Sequence, residues 1–293
     1  MSIDSRDYIV TFELYSTEDC PEDFRLRPEL GGFEAGLFLP RDDPDWFGRS
    51  AYPPRIVLLH EGHLHVIAHP SAADADWECS LEDLVAVEAG HMLLKGWFRF
   101  TGCTFDRTLR FNMRGYRAVS RFIRRFRQRW LGKPEADPTT DRSAVGNPEL
   151  GIKFGNALSA ELDRDETVHS LLFQPSRALR RRRWLLPRVQ QTPTDLVALT
   201  DRRLLWISDR DRTSYAPYGT VTSSMRLNRV AGANVISIGL GCTLEIRTVS
   251  GIMWNIPFAG DRRDETEAFA SGLSSIGPDR GTGPCCRSVA ERT

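Results

Sequence analysis

One pattern constrains this chain more than any other, because the chain contains it twice. Asp195-Leu196-Val197-Ala198-Leu199-Thr200-Asp201-Arg202-Arg203-Leu204-Leu205-Trp206-Ile207 is an apolar run, a short polar turn and a second apolar run. Two apolar stretches joined by a polar turn predict a β-hairpin. Arg55-Ile56-Val57-Leu58-Leu59-His60-Glu61-Gly62-His63-Leu64-His65-Val66-Ile67 aligns with it without a gap, placing Val57, Leu59, Leu64 and Ile67 on Val197, Leu199, Leu204 and Ile207.

Further matches keep the same order. Ala35-Gly36-Leu37-Phe38-Leu39-Pro40 resembles Ser170-Leu171-Leu172-Phe173-Gln174-Pro175, a strand that stops at a proline, which has no N–H for a ladder. Ser80-Leu81-Glu82-Asp83-Leu84-Val85 matches Arg226-Leu227-Asn228-Arg229-Val230-Ala231. The separation between matched positions steps from 135 to 140 to 146 residues while staying constant inside each element. Insertions confined to loops are what two folded copies of one unit show. Period-two alternation in Leu244–Thr248 and Trp254–Phe258 marks half-buried antiparallel strands, and Phe98-Arg99-Phe100 and Leu109-Arg110-Phe111 take those places in the first copy. Each copy then ends in a predicted helix. Tyr116, Val119, Phe122, Ile123, Phe126 and Trp130 recur at helical spacing, and Phe269 and Leu273 correspond to Phe122 and Phe126.

The organisation predicted is an N-terminal extension over 1–30, a first repeat over 31–131, a linker over 132–147, a second repeat over 148–277 and a tail over 278–293. The second repeat has a leading helix capped by Asn147-Pro148, and the Gly-, Pro- and Arg-rich tail is expected to be disordered.

Several strands followed by one closing helix, with Leu199-Thr200-Asp201-Arg202-Arg203-Leu204-Leu205-Trp206-Ile207, Leu227-Asn228-Arg229-Val230 and Leu244-Glu245-Ile246, resemble the bacterial pleckstrin-homology-like domains over about residues 161–276. The first copy departs from the pattern by placing His60-Glu61-Gly62-His63 where the second has Thr200-Asp201-Arg202-Arg203. The resemblance implies a mainly β fold with α, built as two β-barrels each closed by a C-terminal helix. It implies no catalytic residues and no cofactor, and ligands drawn from lipid head groups, peptides or other proteins.

Composition narrows the function further. Lys plus Arg equals Asp plus Glu at 39 each, so global charge selects neither a nucleic-acid nor an acidic partner. Six cysteines without a Cys-x-x-Cys pair predict reduced thiols and a cytoplasmic setting, and the adjacent Cys285-Cys286 in the tail are given no role. Neither a signal peptide nor an apolar run of transmembrane length is visible, so membrane contact is expected to be peripheral.

Three constellations carry chemistry. Arg177, Arg180, Arg181, Arg182, Arg183, Trp184 and Arg188 are expected in a loop between the first two strands of the second copy. Guanidinium forks there suit an anionic partner. The matching loop of the first copy is acidic, with Asp42, Asp43 and Asp45, so internal pairing is the competing account. Arg114, Arg117, Arg121, Arg124, Arg125, Arg127, Arg129 and Lys133 lie in or beside the first closing helix with no acid between them. They form its solvated face, pair with the acidic N-terminal extension, or meet a membrane. His60, His63, His65 and His69, with Glu61, are the metal candidates, but the hairpin turn separates them and the spacing fails the His-Glu-x-x-His zinc helix, so no metal is assigned. The chain is therefore expected to be a non-catalytic binding or scaffolding protein. A peripheral adaptor on anionic lipid and a metal-dependent enzyme centred on His60–His69 are the alternatives.

Overall fold

The structure is a computed structural model and describes residues 10–24, 31–41, 52–70, 72, 75–92, 95–132, 148–163, 165–183, 186–191, 193–209, 219–239 and 241–275. The chain separates into two compact units. Unit 1 holds residues 1–84, 91–100 and 106–133, and unit 2 holds 85–90, 101–105 and 134–293.

In unit 1, β1 (Phe12–Leu14), β2 (Ala35–Leu39), β3 (Arg55–His60), β4 (His63–Ala68) and β5 (Trp77–Ser80) form an antiparallel sheet in sequence order. The β3–β4 hairpin closes with His60 opposite His63. Its two turn residues, Glu61 at φ 47° and Gly62 at φ 78°, adopt the left-handed conformation that two-residue hairpins need for their strands to twist correctly. Strand β6 (Leu84–Met92) follows, then β7 (Lys95–Gly102), β8 (Asp106–Asn112) and helix α1 (Tyr116–Leu131). Ala118, Val119, Phe122, Phe126 and Trp130 are buried along one side of α1. Phe126 meets Phe100 edge-on at 5.7 Å and stacks on Trp130 at 6.1 Å.

Unit 2 takes in residues 85–90 of β6 and, in its C-terminal stretch, helix α2 (Gly151–Glu161) and β9 (Val168–Gln174). A separate two-stranded ribbon comes next, β10 (Ala178–Arg183) with β11 (Leu186–Gln191). Then follow β12 (Asp195–Thr200), β13 (Arg203–Ser208), β14 (Gly219–Arg226), β15 (Val230–Ile238), β16 (Gly241–Thr248), β17 (Met253–Ala259) and helix α3 (Arg263–Ser275). Strands β14-β13-β12-β9 pair side by side, and β15-β16-β17 make a three-stranded sheet. With the ribbon set aside, the order β2 to β8 then α1 recurs as β9 and β12 to β17 then α3.

Every residue of β12 and β13 is buried, because the hairpin is covered on both faces. Val197, Leu199, Leu204 and Trp206 face the three-stranded sheet and α3, where they pack with Leu244, Trp254, Ile256, Phe269 and Leu273. Leu196, Ala198, Leu205 and Ile207 face α2 through Phe154 and Leu158. This explains why the apolar runs in the sequence are continuous rather than alternating. Unit 1 reaches the same result with different material. Leu14 and Phe24, from the N-terminal extension, cover Phe38, Ile56 and Leu58.

The expected closed barrels are not formed: among the described residues no sheet returns to its first strand. In unit 1 the outer edge of β2 is occupied by β1, with Phe12 opposite Phe38, so no later strand can pair there. In unit 2, β9 and β17 meet through a side chain instead of a ladder. Gln174 Oε1 accepts the Ala259 N–H at 2.9 Å. Phe269, Ala270 and Leu273 of α3 contribute to the core that the two open sheets share. Among the described residues the protein is mainly β with three α-helices, built from open sheets.

Candidate functional site

Thr200-Asp201-Arg202-Arg203 turns inward. The Thr200 hydroxyl oxygen accepts the N–H groups of Arg202 at 3.2 Å and Arg203 at 3.0 Å, which holds the hairpin turn, and donates to Glu166 Oε1 at 2.8 Å. Arg203 is wholly buried and grips Glu166 through Nε to Oε1 and Nη2 to Oε2, both at 2.8 Å. It also donates to the Glu161 carbonyl at 2.6 Å and the Ser224 hydroxyl at 3.0 Å. Burial alone would raise the pKa of Glu166. The charge and hydrogen bonds of Arg203, with those of the Asp163 amide and Thr200, outweigh it and hold the carboxyl below its ordinary value. Beside it Arg202 reaches Asp165 at 2.7 Å. These residues fasten the end of α2 to the hairpin. The most distinctive motif of the second copy is thus spent on structure, and Glu166, its buried acid partner, carries no local signal in the sequence.

A cleft in unit 2 lies away from this pair. It has a volume of about 330 Å³ and is lined by Pro193, Asp195, Trp206, Ser208, Val221, Ser223, Met253, Asn255 and Pro257. The register explains its floor. Asp195 lies opposite Ser208, Trp206 opposite Ser223, and Ser208 opposite Val221, so these side chains share the face of β12-β13-β14 that looks toward β17. Asp195 is 1 % exposed and accepts the Trp206 indole N–H at 2.9 Å. Apolar walls with a few placed polar groups are the usual make-up of a ligand cleft. Its residues are scattered over four strands, which is why sequence reasoning missed it.

The arginine cluster expected in a loop is drawn out into the β10–β11 ribbon. Its register places Arg181 opposite Arg188, Arg180 opposite Val189 and Arg183 opposite Leu186. The side chains of residues 178–192, and Trp184 altogether, lie outside the described residues, as does the acidic loop with Asp42, Asp43 and Asp45. Arg177 is described, and it donates to Asp261 at 2.9 Å, a pairing that lowers the pKa of Asp261.

The histidines are dispersed among separate partners. His65 approaches Glu78 at 3.2 Å, and His69 bonds Asp23 at 2.8 Å. The ring centres of His60 and His63 each lie about 6 Å from that of His65. Among the described residues no group of three or more His, Cys, Asp or Glu could hold a metal ion. Cys20, Cys79 and Cys242 are free thiols, and burial pushes Cys20 up to about 11 and Cys79 up to about 12. Cys103 is disulfide-bonded, which corrects the expectation of reduced thiols at that position. Lys133, at the end of the first arginine series, and Cys285 and Cys286 lie outside the described residues.

No protein-family model matches this chain, and no curated protein matches it. Among the described residues no helix is long and apolar enough to cross a membrane.

Proposed function

We propose that the chain is a non-catalytic binding module made of two copies of a pleckstrin-homology-like unit, holding a protein partner in the cleft of unit 2. The observation that carries this reading is the cleft itself. Pro193, Trp206, Val221, Met253 and Pro257 line it with apolar groups, and Asp195, Ser208, Ser223 and Asn255 with polar ones. The recurrence of one strand-and-helix order supports the family resemblance. Met253 and Asn255 are exposed on an edge strand, so altering them blocks the cleft without disturbing the core.

The test is affinity capture from the native host with the wild-type chain, Met253→Glu and Asn255→Arg. A partner retained by the wild type and lost with both variants supports the cleft. An unchanged set of retained proteins removes the cleft as the binding face. A second reading, peripheral attachment to anionic lipid, draws support from the β10–β11 register, which gathers Arg180–Arg183 and Arg188 onto one ribbon.

A further inference from the structure

From Arg107 to Leu131 the chain carries no acidic residue, and α1 concentrates its arginines on one side. At about 100° per residue, Arg117, Arg121, Arg124 and Arg125 fall within an arc of about 100° and about 12 Å of helix length. That arc lies opposite the buried Phe122, Phe126 and Trp130. Among the described residues two acids reach α1, and they leave most of the arc unpaired. Glu13, its side chain 3 % exposed, takes Arg121 at 2.7 Å, and Glu34 reaches Arg129 at 3.4 Å, off the arc. Arg117, Arg124 and Arg125 are exposed and make no ion pair among the described residues. Tyr15 stands beside the arc. Its phenol donates to Glu13 at 2.6 Å, feels the charges of Arg121 and Arg125, and is 66 % exposed.

We infer that this face of α1 is a docking surface for an anionic phospholipid bilayer. Neighbouring guanidiniums repel one another, and a layer of phosphates relieves that repulsion through bidentate hydrogen bonds. The stripe lies on the side of α1 turned away from β1 and β2 and presents a convex row of guanidiniums, the shape that suits a planar layer of phosphates. Tyr15 supplies the amphipathic ring that settles at a membrane–water boundary. The apolar side of α1 stays in the core, so attachment is electrostatic and reversible. The surface belongs to unit 1, and its fate is independent of the cleft in unit 2.

The experiment is flotation of the full chain with phosphatidylcholine vesicles, with and without phosphatidylserine, at low and high salt. Wild type is expected to float only with phosphatidylserine and to dissociate at high salt, where the screening length falls to roughly 3 Å. Changing Arg117, Arg124 and Arg125 together to Gln keeps helix propensity and should weaken partition on the order of a hundredfold, at about 1 kcal/mol per basic residue. Changing the three to Lys should largely preserve it, and Met253→Glu should leave it unchanged. The inference is overturned if wild type fails to float at low salt or the Gln variant floats like wild type. It is overturned equally if only Arg180–Arg183→Ser abolishes flotation, or if the α1 arginines hold duplex DNA and vesicles are ignored.

Discussion

Replacing Glu166 by Ala should be among the most damaging single changes in unit 2. The carboxylate accepts hydrogen bonds from Arg203 Nε and Nη2, from the Thr200 hydroxyl and from the Asp163 amide. Arg203 would keep the Ser224 hydroxyl and the Glu161 carbonyl, both neutral, while staying wholly buried without its hydrogen-bonded counter-charge, with only the more distant Glu161 and Asp163 carboxylates left to act on it. Removing one member of a buried pair costs about 3–5 kcal/mol, mostly from the charge left behind. Urea unfolding followed by tryptophan fluorescence measures this directly, because Trp206 and Trp254 lie 5.9 Å apart in the core of unit 2. Glu166→Leu combined with Arg203→Met should recover most of the loss, since an apolar pair of similar volume carries no desolvation cost. The pH dependence has a definite sign. The folded-state pKa of Glu166 is depressed, so its contribution is present above the ordinary carboxylate range and is lost as pH falls through the lowered value. A loss below about 1 kcal/mol for Glu166→Ala, or a double variant no better than the single one, would refute the reasoning.

Phe122→Ala and Phe269→Ala should each cost about 3–5 kcal/mol in chemical unfolding, because both rings are buried beneath the sheets that their helices cover. Gly62→Val forces a β-branched residue to φ 78° in the first hairpin and should cost about 1–2 kcal/mol, whereas Glu61→Asn should be neutral or stabilising; thermal unfolding distinguishes them. Cys20 and Cys79 should react slowly with a thiol reagent at pH 8 and rapidly after denaturation, since burial keeps both protonated in the fold, and equal rates before and after would contradict that.

Both hairpins and both terminal helices were legible in the sequence because their signals are local. Leu196–Leu199 and Leu204–Ile207 flank one polar turn, and Phe122, Phe126 and Trp130 recur on one helical stripe. Barrel closure was not legible, because it depends on which strand edges meet. The strand Phe12–Leu14 takes the edge of β2, a pairing that nothing near residue 12 announces. The arginine run at 180–183 reads as a loop by charge, yet it pairs residue for residue with 186–189, and pairing partners decide strand formation more than composition does. The cleft and the Arg203–Glu166 pair share one reason for escaping notice. Each joins residues distant in sequence, so no spacing rule reaches them.

The two copies also separate what the hairpin needs from what its cover needs. The first hairpin forms with Glu61-Gly62 in its turn and His63 in the place of Arg203, so an arginine at that position is not required to make a hairpin of this kind. The reach of Arg203 to the Glu161 carbonyl places its work at the end of α2, the element that covers the outer face of β12 and β13. In unit 1 the corresponding face is covered by Leu14 and Phe24, and there a different polar contact does the fastening, His69 to Asp23 at 2.8 Å, one residue before Phe24. One strand order thus carries two unlike covers, each held by its own polar staple. The turn residues that differ most between the copies lie where those two covers differ.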